Sequence, residues 1–207
     1  MKPNVFCFIG SFAVGKTTQI RRIINSLSDR EPSYCGGLDE GLNYYISEYE
    51  GFSVLGKMGL NQCTGLDSVF GKLGVEGVTK SLEVALRKSD LIFMDCVFWT
   101  TKWVDDWKRK GIRDKFNLYV IHLTTTNYVN LRRLSQRKAK KLGREDWWNI
   151  ELPDTMYKHT IGKSKECVVI YDKIVKNNIA QDTIEIDAGQ DEETINQLIL
   201  NFINKNL

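Results

Sequence analysis

Short apolar runs alternate along this chain with longer stretches in which apolar residues recur every three or four positions. Val5-Phe6-Cys7-Phe8-Ile9, Leu91-Ile92-Phe93-Met94 and Leu118-Tyr119-Val120-Ile121-His122-Leu123 read as strands buried on both faces of a parallel sheet. Ile20, Ile23, Ile24 and Leu27 share one helical face, as do Val75, Val78, Leu82, Ala85 and Leu86 and, later, Ile195, Leu198, Ile199, Phe202 and Ile203. Further helices are predicted over 100–110, carrying Trp103 and Trp107, over 128–142 after the capping run Thr124-Thr125-Thr126-Asn127, and over 154–176 with an interruption near Gly162. Thr183–Asp187 is a last short strand, and Pro32 closes the first helix. Residues 42–49 and 52–58 flank Glu50-Gly51 as a β-hairpin, which lies outside a minimal alternating plan and reads as an insertion near a substrate. The alternation predicts an α/β fold with a central parallel sheet, right-handed crossovers and ligands at the carboxyl ends of the strands.

Composition adds limits. At 207 residues the chain is expected to form a single domain, 1–207, with a hairpin and loop insertion over 40–75. A hydrophobic share of 42% and a charged share of 27% describe a water-soluble globular protein, and a net charge of +3 permits a nucleic-acid partner without demanding one. No apolar run approaches the ~18 residues of a membrane span, so no membrane association and a cytoplasmic location are expected. The five cysteines are scattered without a C-x-x-C spacing, which fits a reducing compartment. Of the two histidines, His122 sits within an apolar strand pattern and is expected to be structural.

The chemistry concentrates at Gly10-Ser11-Phe12-Ala13-Val14-Gly15-Lys16-Thr17, a G-x-x-x-x-G-K-[ST] pattern between the first strand and first helix. Backbone N–H groups of Gly10, Ala13 and Gly15 would cradle a polyphosphate at the helix N-terminus. Lys16 would reach the outer phosphates, and the Thr17 hydroxyl would bind Mg²⁺. Asp95 closes the second buried run, where a carboxylate can hold the same metal. The region 132–150 is densely basic, with Arg137 and Arg144 at and beyond a helix end. It reads as a lid able to bring positive charge to a migrating phosphoryl group. A carboxylate orienting an acceptor hydroxyl is sought in Asp67, within the Gly-rich stretch 56–77, with Asp39 or its neighbour Glu40 as alternatives.

Taken together these residues resemble the nucleotide-kinase branch of P-loop proteins, with its three-layer kinase fold. Gly15-Lys16-Thr17-Thr18-Gln19 and Ile186-Asp187-Ala188-Gly189-Gln190 resemble thymidylate kinases, and Leu131-Arg132-Arg133-Leu134 with Arg137 resembles the lid helix of the wider superfamily. The resemblance implies ATP and Mg²⁺, with Thr18 and Arg133 among the nucleotide-binding residues. Where thymidylate kinases follow the strand-end Asp with Arg, this chain has Asp95-Cys96-Val97-Phe98. The hairpin and the loop from Gly56 to Asp67 instead resemble bacteriophage P-loop kinases of DNA hypermodification, which phosphorylate 5-hydroxymethyluracil in DNA. That implies a DNA partner, for which basic segments at 108–110 and 137–144 are available, whereas most of the five tryptophans nearby in sequence read as core residues. A nucleoside or nucleotide monophosphate kinase and a non-kinase P-loop NTPase are the alternatives, the latter without an N-K-x-D motif. Homodimerisation stays open.

Overall fold

The computed structural model describes residues 2–35, 38–39, 42–43, 46–59, 63–64, 66–95, 100–111 and 114–207. The chain runs β1 (Asn4–Ile9), α1 (Lys16–Leu27), β2 (Ser33–Cys35), β3 (Leu38–Asp39), β4 (Leu42–Asn43), β5 (Ile46–Tyr49) and β6 (Phe52–Leu55). It continues with β7 (Lys57–Met58), β8 (Cys63–Thr64), α2 (Asp67–Leu86), β9 (Leu91–Asp95), α3 (Thr101–Arg109) and β10 (Asn117–Thr124). Then come α4 (Asn127–Lys141), α5 (Asp154–Lys176), β11 (Asp182–Asp187) and α6 (Glu192–Lys205).

A seven-stranded sheet in the order β11-β10-β1-β9-β6-β5-β2 forms the middle layer. Its first five strands are parallel, and β5 and β2 extend it through antiparallel pairs. β1 lies between β9 and β10, with Cys7 opposite both Met94 and Val120. That central place explains its unbroken apolar run, because alternate side chains enter different cores. Val5, Cys7 and Ile9 join one core with Val78, Leu82, Trp103, Trp107 and Ile170, from α2, α3 and α5. Phe6 and Phe8 join the other with Ile20, Ile23, Ile24, Ile195, Ile199 and Phe202, from α1 and α6. Two helical layers on a mostly parallel sheet result, the α/β arrangement expected from the alternation.

Three local differences from the sequence reading have physical reasons. The hairpin around Gly51 forms, but its second strand, β6, pairs parallel with β9 as part of the sheet. Phe52 and Val54 feed one core and Leu55 the other, so β6 is buried on both faces. α2 begins at Asp67 rather than near Val75. Gly74, at φ 62° and ψ −153°, kinks it, so helical periodicity registers clearly only beyond that point. α5 runs without a break through Gly162.

Candidate active site

The loop from Gly10 to Gly15 leaves the carboxyl end of β1 and turns into α1. Gly10 has φ 150°, and a Cβ there would stand 2.5 Å from the Leu123 carbonyl oxygen of the neighbouring strand. Glycine therefore lets the loop leave the sheet at the only available height. Ala13 takes φ 60° and Gly15 φ 110°, left-handed conformations that curl the loop. For Ala13 this costs about 1 kcal/mol, a strain held by the packing of Val14, 2% exposed.

Inside that curl sits the Lys16 side chain, 5% exposed. Its Nζ donates to the carbonyls of Gly10 and Ser11, both at 3.0 Å, and stands 3.9 Å from Asp95 Oδ1. Thr17 Oγ1 donates to Asp95 Oδ2 at 2.5 Å. Lys16, Thr17 and Asp95 thus converge from α1 and the end of β9. Asp95 is 3% exposed, and its Oδ1 has no hydrogen-bond partner in this structure. An orphaned buried carboxylate oxygen beside a hydroxyl is a hard-oxygen donor set, which suits Mg²⁺. Thr17 and Asp95 fit the metal that the sequence implied.

Beyond the loop, a cavity of ≈ 350 Å³ opens between α1, α4 and α6. Ala13, Gly15, Thr18, Gln19, Arg133 and Arg137 are among its lining residues. Arg133 is fixed by donating to the Val14 carbonyl at 3.1 Å and the Ala188 carbonyl at 2.8 Å. Partial burial, and then the neighbouring Arg132, lower its pKa, with Arg137 adding to the effect. α4 reaches the loop because Thr126 caps it, accepting from Val129 N at 3.3 Å. One turn on, Asn130 is fully buried and donates to Ser11 Oγ at 2.7 Å. The sequence reading passed over Asn130, although Asn130, Arg133 and Arg137 share one helical face. α5, expected as a helix over 154–176, had no functional part in that reading, and it runs along the loop's other flank. Phe12 packs on His159 with ring centroids 5.1 Å apart, and the Cys167 thiol, about two turns further along α5, is buried. Burial pushes that thiol up, opposed by the nearby Lys16 and Lys163 ammonium groups.

The remaining sequence candidates are placed as follows. Arg144 lies beyond α4, where Asp146 engages its guanidinium through Nε at 2.9 Å and through Nη2. Arg144 holds the Asp146 carboxyl down at about 2. Asp67 is the first residue of α2, and Asp39 belongs to the β3–β4 ladder. Their side chains, together with Glu40 and the segment 96–99, lie outside the described residues. His122 is 1% exposed and pairs with Glu185 at 2.9 Å under the ring of Tyr171, a structural setting. Trp103 and Trp107 are core residues, whereas Trp148 is 67% exposed. No helix among the described residues is long and apolar enough to cross a membrane.

No protein-family profile and no curated protein sequence matches the chain. Solved structures share its fold. A deoxyadenosine kinase from M. mycoides, with bound dATP, superposes with a TM-score of 0.50 at 18% identity, covering 97% of this chain and 98% of that one. A fungal RNA kinase superposes with a TM-score of 0.53 at 13% identity, covering 99% of this chain and 86% of its own. The chain shares its fold with these two kinases.

Proposed function

We propose that this protein is an ATP-dependent kinase that transfers the γ-phosphoryl group to a hydroxyl acceptor. The observation that carries the reading is the convergence at the curled loop of Lys16, Thr17 and the buried Asp95 carboxylate, whose Oδ1 has no hydrogen-bond partner. Lys16 now spends its charge on two loop carbonyls, and a β/γ-phosphate would draw it outward. Thr17 and Asp95 would hold Mg²⁺, which would supply charge neutralisation of the phosphates. Loop N–H groups would receive the α- and β-phosphates, and the cavity lined by Ala13, Gly15, Arg133 and Arg137 would take the rest of the nucleotide. In transfer, the acceptor oxygen bonds to Pγ as the β–γ bridge breaks. The hydroxyl proton leaves to a carboxylate or water, and ADP remains. Arg144 contributes to this only by leaving Asp146, as part of a lid closing over 132–150.

The acceptor we place first is the hydroxymethyl group of 5-hydroxymethyluracil in DNA. Around the lid, exposed Trp148, Tyr157 and Leu142 stand among Lys138, Lys140 and Lys141, a mixture of stacking surface and cations that suits a nucleic-acid strand. A deoxynucleoside is the second reading, favoured by the near end-to-end likeness to the deoxyadenosine kinase. Transfer of labelled γ-phosphate to modified DNA, unmodified DNA and free nucleosides tests both. Label in modified DNA alone supports the first acceptor, and label in a free nucleoside alone overturns it. Label in no acceptor, despite ATP binding, would leave an NTPase.

A further inference from the structure

Helix α5 presents a stripe to the phosphate loop that the nucleotide cavity does not use. His159, Lys163 and Cys167 recur every four residues, so they lie along one face. Phe12 packs on His159 at one end of the stripe and Cys167 is buried at the other, so that face lies against the loop. Between them a second cavity of ≈ 370 Å³ opens, lined by Phe12, Lys158, His159, Gly162, Lys163 and Glu166. Lys163 is a built-in cation there, 7% exposed and paired with Glu166 at 2.8 Å.

Gly162 gives the cavity its meaning. Glycine inside a helix is disfavoured against alanine unless the backbone or its surroundings need it. Here neither does. α5 is unbroken, Gly162 does not take a left-handed φ, and a Cβ would meet nothing within 4 Å. The space left open is the cavity itself, beside an aromatic ring and a buried ammonium.

Resting on the kinase reading, we infer that this second cavity holds the phosphoryl acceptor: a nucleobase ring against Phe12 and His159, and its phosphate at Lys158 and Lys163. The absent Cβ at Gly162 then leaves room for the ligand. The acceptor thereby meets the phosphate loop at Phe12, while the donor's base lies past Ala13 and Gly15. A phosphate here must compete with the Glu166 carboxylate for Lys163, so Glu166→Gln is expected to tighten acceptor binding two- to fivefold.

Equilibrium binding in the presence of ADP tests this with three probes: 5-hydroxymethyl-dUMP, dAMP, and a five-nucleotide strand bearing one 5-hydroxymethyluracil. The mononucleotides and the strand separate a free acceptor from one held in DNA. Gly162→Leu, which fills the cavity, is expected to weaken every probe that the native protein binds at least tenfold and to change ADP affinity less than twofold. Gly162→Ala is expected to melt at the native temperature or above while still losing acceptor affinity, which excludes misfolding as the cause. Equal probe binding by the native protein and Gly162→Leu would overturn the inference, as would failure of the native protein to bind any probe while ADP binds. Failure to bind ADP would remove the kinase reading beneath it.

Discussion

At the residue scale, the loop depends on positions where a side chain has nowhere to go. Gly10→Ala forces a methyl to within 2.5 Å of the Leu123 carbonyl oxygen. The loop must then shift off β10, and overpacking of this kind costs about 1–3 kcal/mol. A lower denaturant midpoint with weakened ATP binding is the expected outcome. Arg133 is a different case, since it ties Val14 to Ala188 and borders the cavity between α1, α4 and α6. Arg133→Ala is expected to raise the KM for ATP at least tenfold with a smaller change in kcat, as steady-state kinetics at saturating acceptor would show. His122 offers a pH signature. Burial lowers its pKa below the ordinary 6.5, and Glu185 only partly offsets that. The unfolded chain therefore binds this proton more readily than the folded one. The stability tied to neutral His122 is complete above about pH 6.5 and falls as the pH drops below it, towards the lowered folded value. His122→Phe is expected to flatten the melting-temperature profile between pH 7.5 and 5.5, and an unchanged slope would contradict this assignment.

At the scale of elements, α3 shows how strongly a short helix depends on its packed face. Thr100 caps it, and Trp103 and Trp107 meet edge to face at 5.6 Å, with Trp107 also edge-on to Phe116 at 5.7 Å. Trp107→Ala would remove a fully buried ring and cost about 3–5 kcal/mol. A shallower or lost unfolding transition would check it. Those tryptophans were readable in advance, because two aromatics four residues apart on a short helix have a core to fill. β1, β9 and β10 were readable for the same reason: only strands covered on both faces carry unbroken apolar runs. What eluded the sequence depends on partners far along the chain. β6 looked like part of a surface hairpin, and its place beside β9 is set by the fold rather than by its turn. The start of α2 was hidden by glycines whose composition reads as loop. Lys163 and Gly162 carried no local motif, and gained significance only when α5 settled against the phosphate loop.

Across the whole molecule, the sheet brings the ends of β1 and β9 together, so that Lys16 and Thr17 meet a carboxylate 78 residues further along in the Thr17–Asp95 pair. Helices α4 and α5 then flank the loop with two cavities, one bordered by Arg133 and Arg137 and the other by Phe12 and Lys163. The fold is shared with a deoxyadenosine kinase and an RNA kinase, so on the proposed function it is these cavities, and not the sheet, that would select the acceptor. Both cavities take their proposed roles from the loop between them. ATP binding to the native protein, Lys16→Ala and Asp95→Asn, titrated calorimetrically with and without Mg²⁺, tests the loop's role most directly. The expected result is Mg²⁺-dependent binding by the native protein, at least a hundredfold loss in Lys16→Ala, and loss of the Mg²⁺ dependence in Asp95→Asn, all with near-native melting. Equal ATP affinity in all three proteins, indifferent to Mg²⁺, would contradict it.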